Sequence, residues 1–212
     1  MKKKAILLSL LAMLAATTGI AAGNLPQKPA RKTTKSNKKA TMAEKKKTLV
    51  VFFSHAGENY SVGNIKVGNT RIVADYISEL TGADQFEIVA EKDYDMSYMQ
   101  LIEVAKREAK DGELPDYKDS IDVAPYDTVF VGGPIWWGTY PQVMFTFFRD
   151  NDLNGKTVIP FTTHEGSGLG STVEDIKQAY PNANVTKGFA IAGHDVRSGK
   201  ARVEKWLKGL GF

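Results

Sequence analysis

The chain has 212 residues, 42% of them hydrophobic and 25% charged, with a formal net charge of +4. It contains no cysteine, which excludes disulfides, redox-active thiols and a lipid-modified N-terminal cysteine. The charge is unevenly spread: residues 1–47 hold twelve Lys/Arg and one acid, Glu44, so the 165 residues from Thr48 onward keep 16 basic against 23 acidic side chains, about −7.

Met1-Lys2-Lys3-Lys4 precedes an apolar run from Ala5 to Ala16 and small residues up to Gly23. A positive start, a short apolar stretch and small residues at Gly19/Ala21 or Ala21/Gly23 predict a secretory signal over residues 1–23. The protein is then exported, to a periplasm or outside the cell. The alternative is an uncleaved membrane anchor, since the run extends to Ala22 and approaches the length of a span. Contact with a membrane is expected only in that case. Residues 24–47 are polar and lysine-rich, without apolar periodicity, and predict a disordered linker. Its charges also suit a nucleic-acid tail, but export argues against a nucleic-acid partner. One domain is expected over residues 48–212, long enough for a substantial core.

The domain opens with Thr48–Phe53, a continuous apolar run of the kind that forms a strand buried on both faces. A helix starts near Asn69-Thr70, carries Ile72, Val73, Tyr76, Ile77 and Leu80 at helical spacing, and stops at Gly82. A second strand is predicted from Asp84 to Val89. Ser97-x-x-Gln100 is a capping box for a helix with Leu101, Ile102, Ala105 and Ala109 on one face. The third strand lies in TVFVGGPIWWGTYP, Thr128 to Pro141, and an apolar helix with Val143, Met144, Phe147 and Phe148 follows. The fourth strand spans Thr157–Thr162, and Ser171-x-x-Glu174 predicts a cap for a helix bearing Val173, Ile176 and Tyr180. A fifth strand over Val185–Ile191 and a last helix with Val203, Trp206, Leu207 and Leu210 complete the pattern. Five strands alternating with five helices, without repeats, predict an α/β fold with a doubly wound parallel sheet.

In such sheets ligands bind beyond the carboxyl ends of the strands. Three segments meet there: Ser54 onward, Gly133–Gly138, and Thr162–Gly168. Ser54 with Gly68-Asn69-Thr70 at a helix start suits an anion, although simple capping by Asn69 or Thr70 would use the same residues. Trp136 and Trp137 offer flat faces for a ring; the alternative is that both belong to the core, which adjacent residues cannot easily share. Thr162 to Gly168 adds hydroxyls, a turn rich in N–H groups, and the His164-Glu165 pair. Together they suit a phosphate, a polyhydroxylated linker and a flat heteroaromatic ring. Neither a phosphate-loop lysine motif nor GxGxxG is present, so ATP and dinucleotides fit poorly. His164-Glu165 is not HExxH, since Gly168 replaces the second histidine, and no metal is implied. No GxSxG surrounds Ser167. His194-Asp195 reads as a turn after the fifth strand.

FFSHAGEN, KVGNTRIVA, GGPIWWGTYP and FTTHEGSGLGS make the domain resemble the flavodoxin family, over roughly Thr48 to Phe212. The resemblance implies a flavodoxin-like fold of strand order 2-1-3-4-5, which the periodicity alone does not supply, and FMN as the cofactor. It places Ser54, with His55 and Ala56 beside it, and Asn69 and Thr70 on the phosphate loop. It sets Pro134, Ile135, Trp136, Trp137 and Gly138 beside the isoalloxazine, and Thr163, His164, Glu165, Gly166 and Ser167 on the third flavin loop. One feature departs from the family's short first loop: thirteen residues separate Ser54 from Gly68. The phosphate site is then either on SHAGEN or on Ser54 together with Gly68-Asn69-Thr70. Residues 58–67 form either a flap over the site or an exterior hairpin, and the hairpin is expected because surface insertions cost little. The implied function is electron transfer to and from a redox partner protein, basic in charge. The alternative is an FMN-dependent NAD(P)H or quinone oxidoreductase, and a third is a non-catalytic flavin carrier.

Overall fold

A computed structural model describes residues 47–212. The predicted signal and most of the predicted linker lie outside the described residues. Strand β1 (Thr48–Phe52) is followed by a hairpin, β2 (Gly57–Asn59) and β3 (Gly63–Ile65), then helix α1 (Asn69–Thr81), β4 (Asp84–Glu87) and β5 (Val89–Ala90). Helix α2 (Tyr98–Asp111), β6 (Tyr117–Lys118), β7 (Thr128–Pro134), α3 (Gln142–Asp150) and β8 (Thr157–His164) come next. Helix α4 (Thr172–Ala179), β9 (Asn184–Val185), β10 (Phe189–Ala192), a 3-10 turn over Gly193–Ser198 and α5 (Lys200–Leu210) complete the chain.

The central sheet is parallel, in the order β4-β1-β7-β8-β10, with β9 also on β8. Counting its five principal strands along the chain, this is the order 2-1-3-4-5, and the winding of successive strands switches direction between β1 and β7. Alternation along the strands sorts the core into two layers. Leu49, Val51, Val129 and Val131 pack with Leu101, Met144, Phe147 and Ile176 from α2, α3 and α4. Val50, Phe52 and Phe130 pack instead with Val73, Ile77, Val203 and Leu207 from α1 and α5. Both faces are covered, which is why the strands read as continuous apolar runs. Among the described residues no helix is long and apolar enough to cross a membrane.

Four local readings need correction. The predicted second strand ends at Glu87, and Val89-Ala90 turns away to pair antiparallel with β6. The predicted fifth strand is interrupted between Val185 and Phe189. Asn184 pairs with Thr157 and Phe189 with Phe161, so five steps on this strand oppose four on β8. The extra residue falls opposite Ile159-Pro160, where the proline has no N–H to give to a ladder. Ser171 does not cap α4: its hydroxyl bonds Asp175 Oδ2 at 2.8 Å and its backbone is not extended. On α2 the capping box forms as expected, but Ala109 is exposed and Glu108 points inward, fully buried. Lys92 Nζ donates to Glu108 Oε1 at 2.6 Å, and the Tyr94 hydroxyl reaches both of its oxygens at 3.0 and 3.2 Å. A buried carboxylate is tolerated there because it is paired and hydrogen-bonded.

Candidate functional site

A cleft of about 400 Å³ opens at the carboxyl edge of the sheet, within the range of small-molecule sites. Pro134 to Gly138 at the end of β7, Thr163, His164, Glu165 and Ser167 at the end of β8, and Asn69 at the start of α1 all line it. These come from the three segments that the sequence singled out.

The tryptophans divide their roles. Trp136 N donates to Thr139 O at 2.8 Å and Thr139 N to Trp136 O at 3.3 Å, closing a two-residue turn. Both turn residues have positive φ, +50° for Trp137 and +91° for Gly138. That pair of angles is the signature of a tight hairpin turn, but a left-handed conformation is costly for a bulky side chain. The Trp137 indole is 54% exposed, and there Nε1 donates to the Ile102 carbonyl at 2.9 Å and Lys106 Nζ lies 5.1 Å from the ring centroid. Trp136 faces inward, its ring edge-on to Phe53, Tyr94 and His55 at 5.5, 5.3 and 5.8 Å. Trp137 is therefore the available flat face, and Trp136 belongs largely to packing. The next loop is locked against this turn: Ser171 N donates to Gly138 O at 2.9 Å, and a Cβ at Gly170 would lie 2.1 Å from that same oxygen.

The first loop is organised around α1. The Ser54 hydroxyl accepts from Arg71 N at 2.9 Å, so it caps the helix from the end of β1. Gly68 has to be a glycine, since a Cβ there would sit 2.3 Å from Ser54 Oγ. Among the described residues the amides of Asn69 and Thr70 carry no partner, and they lie at the positive end of the helix. The Thr70 hydroxyl is buried, 2.8 Å from that of Thr163, which ties α1 to β8. His55 is also buried, and its Nε2 has no partner among the described residues; burial, more than any neighbour, holds its pKa below the usual value. Ala56 is exposed. Ser54, His55, Ala56 and Thr70 do not form the wall of the cleft as it stands.

In the third loop the Gly166 amide donates to His164 Nδ1 at 2.9 Å, which leaves the proton of the neutral ring on Nε2. Desolvation lowers the His164 pKa and favours that neutral form. Glu165, half of the sequence-predicted pair, does not engage His164 but His194.

Residues 58–67 do form a hairpin, but it is not peripheral. Asn59, Tyr60 and Val62 line the cleft, Tyr60 stacks on Tyr98 at 5.8 Å, and Glu58 Oε2 accepts from Tyr98 N at 2.9 Å. Tyr98, Leu101, Ile102 and Ala105 of α2 supply the facing wall. Sequence reasoning missed both, and it missed Gly193. The signal for α2 was present in Leu101, Ile102 and Ala105, placed together on one helix face but not connected with the site.

The chain belongs to the flavodoxin family: the family model described as Flavodoxin matches residues 47–210. Among solved structures it is similar to a protein of Bacteroides eggerthii described as a flavoprotein, at 28% identity and a TM-score of 0.64, over 79% of this chain and 99% of the other. A counterpart from Bacteroides uniformis has 29% identity and a TM-score of 0.63, over 77% and 98%. A flavoprotein of Lactobacillus acidophilus, solved in complex with FMN, shares the fold at 23% identity and a TM-score of 0.54, over 73% and 98%. No curated protein sequence matches the chain.

The cofactor that goes with this family is FMN, and the residues present fit it. An anion has free amides at Asn69 and Thr70 at the start of α1, and an exposed indole lines the same cleft as Asn69.

Proposed function

We propose that residues 48–212 hold FMN noncovalently and pass electrons between partner proteins after export. The observation that carries this reading is the cleft where the ends of β7 and β8 and the start of α1 bring an open helix N-terminus and an exposed tryptophan together. In it Ser54, His55, Ala56, Asn69 and Thr70 would hold the phosphate, the free amides and helix dipole matching its charge. Of the two phosphate assignments, the one on Ser54 with Gly68-Asn69-Thr70 is supported by the hydroxyl that already bridges β1 to α1. Pro134 to Gly138 would flank the ring, with Trp137 as its stacking face. Thr163 to Ser167 would supply hydrogen bonds along the opposite edge. The cofactor supplies the redox chemistry; the chain binds it, orients it and sets its electrostatic surroundings. An acidic domain of about −7 favours a basic redox partner through long-range steering.

A second reading, an NAD(P)H or quinone oxidoreductase, is favoured by one observation: Tyr60, Tyr98 and Ile102 make the cleft concave rather than a flat docking face. Stopped-flow reduction over a salt series separates the two. Exchange with a basic redox protein should slow steeply as the Debye length shrinks from about 10 Å at 0.1 M to about 3 Å at 1 M salt. Direct NADH oxidation should stay slow throughout. Fast, saturable NADH oxidation with a flat salt profile would instead establish the reductase.

A further inference from the structure

Glu165 and His194 are 29 residues apart and meet because β8 and β10 are neighbours. Glu165 Oε1 accepts from His194 N at 3.1 Å, and Oε2 lies 2.7 Å from His194 Nδ1. The carboxylate side chain is only 14% exposed and lines the cleft, whereas the imidazole is 62% exposed. Gly193 keeps the arrangement tight: a Cβ there would come within 2.5 Å of Asn69 Nδ2 and 2.7 Å of Glu165 Oε1. A fixed carboxylate thus stands beside Asn69, at the same helix N-terminus that is free to receive an anion. Alone, its charge opposes a phosphate; with a cation on it, the opposition is cancelled.

We propose that His194 is a cofactor-side residue, which neutralises Glu165 at the cleft wall and makes the affinity for FMN depend on pH. This rests on the FMN reading above. The charged and titratable groups around His194 are few. His164 and Glu165 come from the end of β8, Asp195 from the 3-10 turn, and Arg202 from α5; Asn69 of α1 is neutral. Asp195 Oδ1 is 3.8 Å from His194 Nε2, but the carboxylate is held by Arg202 at 3.0 Å. Glu165 is therefore the partner that matters. Its hydrogen bond, before any other contribution, raises the His194 pKa above the usual value. The imidazolium persists above the ordinary value of 6.5 and is lost as pH rises past the raised one, and only then does Glu165 face the cleft uncompensated.

The test is an FMN titration by fluorescence quenching on the full chain, between pH 6 and 9, with His194→Gln, Glu165→Gln and the double variant. The phosphate's own titration, near pH 6, is common to all four proteins. The native protein should lose about fivefold in affinity across this window, the scale of one charge a few ångströms from another in a partly wet site. His194→Gln should show the weaker affinity throughout, and Glu165→Gln and the double variant the stronger one, all three without the fall. An equal fall in His194→Gln, or no gain of Glu165→Gln over the native protein at pH 9, would overturn the proposal while leaving FMN binding intact. Absence of FMN binding in the native protein at every pH would overturn the cofactor reading itself. An independent readout needs no cofactor: the His194 ring-proton NMR titration should move to lower pH in Glu165→Gln, and an unmoved midpoint refutes the pairing.

Discussion

Replacing each tryptophan separately tests the division of labour in the turn after β7. Trp137 holds a left-handed backbone at φ +50°, a strain of about 1–2 kcal/mol that Trp137→Gly releases. The same change loses the indole hydrogen bond to Ile102, about 0.5–1.5 kcal/mol, and the contact with Lys106, about 0.5–1 kcal/mol. These contributions cancel to within about 1 kcal/mol, so folding stability should hardly move. Affinity for FMN should nevertheless fall by about 1–3 kcal/mol, the scale of aromatic stacking on a base, or roughly 5- to 150-fold. Trp136 behaves oppositely. It packs edge-on against Phe53, Tyr94 and His55, and Trp136→Ala should cost about 3 kcal/mol, the low end for a large aromatic that is not fully buried. With a urea slope of about 2 kcal/mol per M, its unfolding midpoint drops by about 1.5 M. Urea unfolding of the cofactor-free proteins, followed by flavin quenching titrations, measures both quantities. If Trp137→Gly unfolds as early as Trp136→Ala, or keeps native affinity, the assignment of the stacking face is wrong.

Glu108→Ala should lower stability by about 2–4 kcal/mol, because the Tyr94 hydroxyl loses its partner; Lys92 is spared the worst, being partly exposed and still bonded to Glu113. A urea midpoint within error of the native value would contradict this. The depressed pKa of His55 has a definite sign: its neutral form is favoured in the fold, so it contributes stability above the ordinary value of 6.5 that is lost as pH falls below it. The midpoint of the native protein should therefore drop more between pH 7.5 and 5.5 than that of His55→Gln, and equal drops would remove His55 from the account. Export through the general secretory route, without a twin-arginine signal, predicts a mature N-terminus near Ala22 to Asn24. Protein sequencing of the cell-made chain reads it, and an intact Met1 in a membrane fraction would point to the anchor.

The sequence made the frame legible wherever one physical cause dominated. The runs that became β1, β7 and β8 stood out because strands buried on both faces need apolar residues at every step. The box at Ser97 and Gln100 worked because its two reciprocal bonds are local. The same spacing at Ser171 and Glu174 misled, since Asp175 captured the Ser171 hydroxyl along with that of Thr139. Non-local causes were invisible. Nothing in the sequence around Glu108 marks it as buried; Lys92 and Tyr94, which pair with it, come from the preceding loop. The bulge opposite Pro160 follows from a missing N–H on a neighbouring strand, and the Glu165–His194 pair from strand adjacency. At the site, the loops after β1, β7 and β8 were found from their residue types. The aromatic wall of Tyr60 and Tyr98 was not, because the hairpin's lean over the cleft is fixed by Glu58 on the α2 backbone, a contact forty residues distant.

The central claim is that this cleft is built for a phosphorylated flavin. Parallel quenching titrations of the purified chain with FMN and riboflavin test it most directly. The free amides at Asn69 and Thr70 can reward only the ligand that carries a phosphate, so FMN should bind at least tenfold more tightly, about 1.4 kcal/mol. Equal affinity for the two, or quenching of neither, would contradict the account.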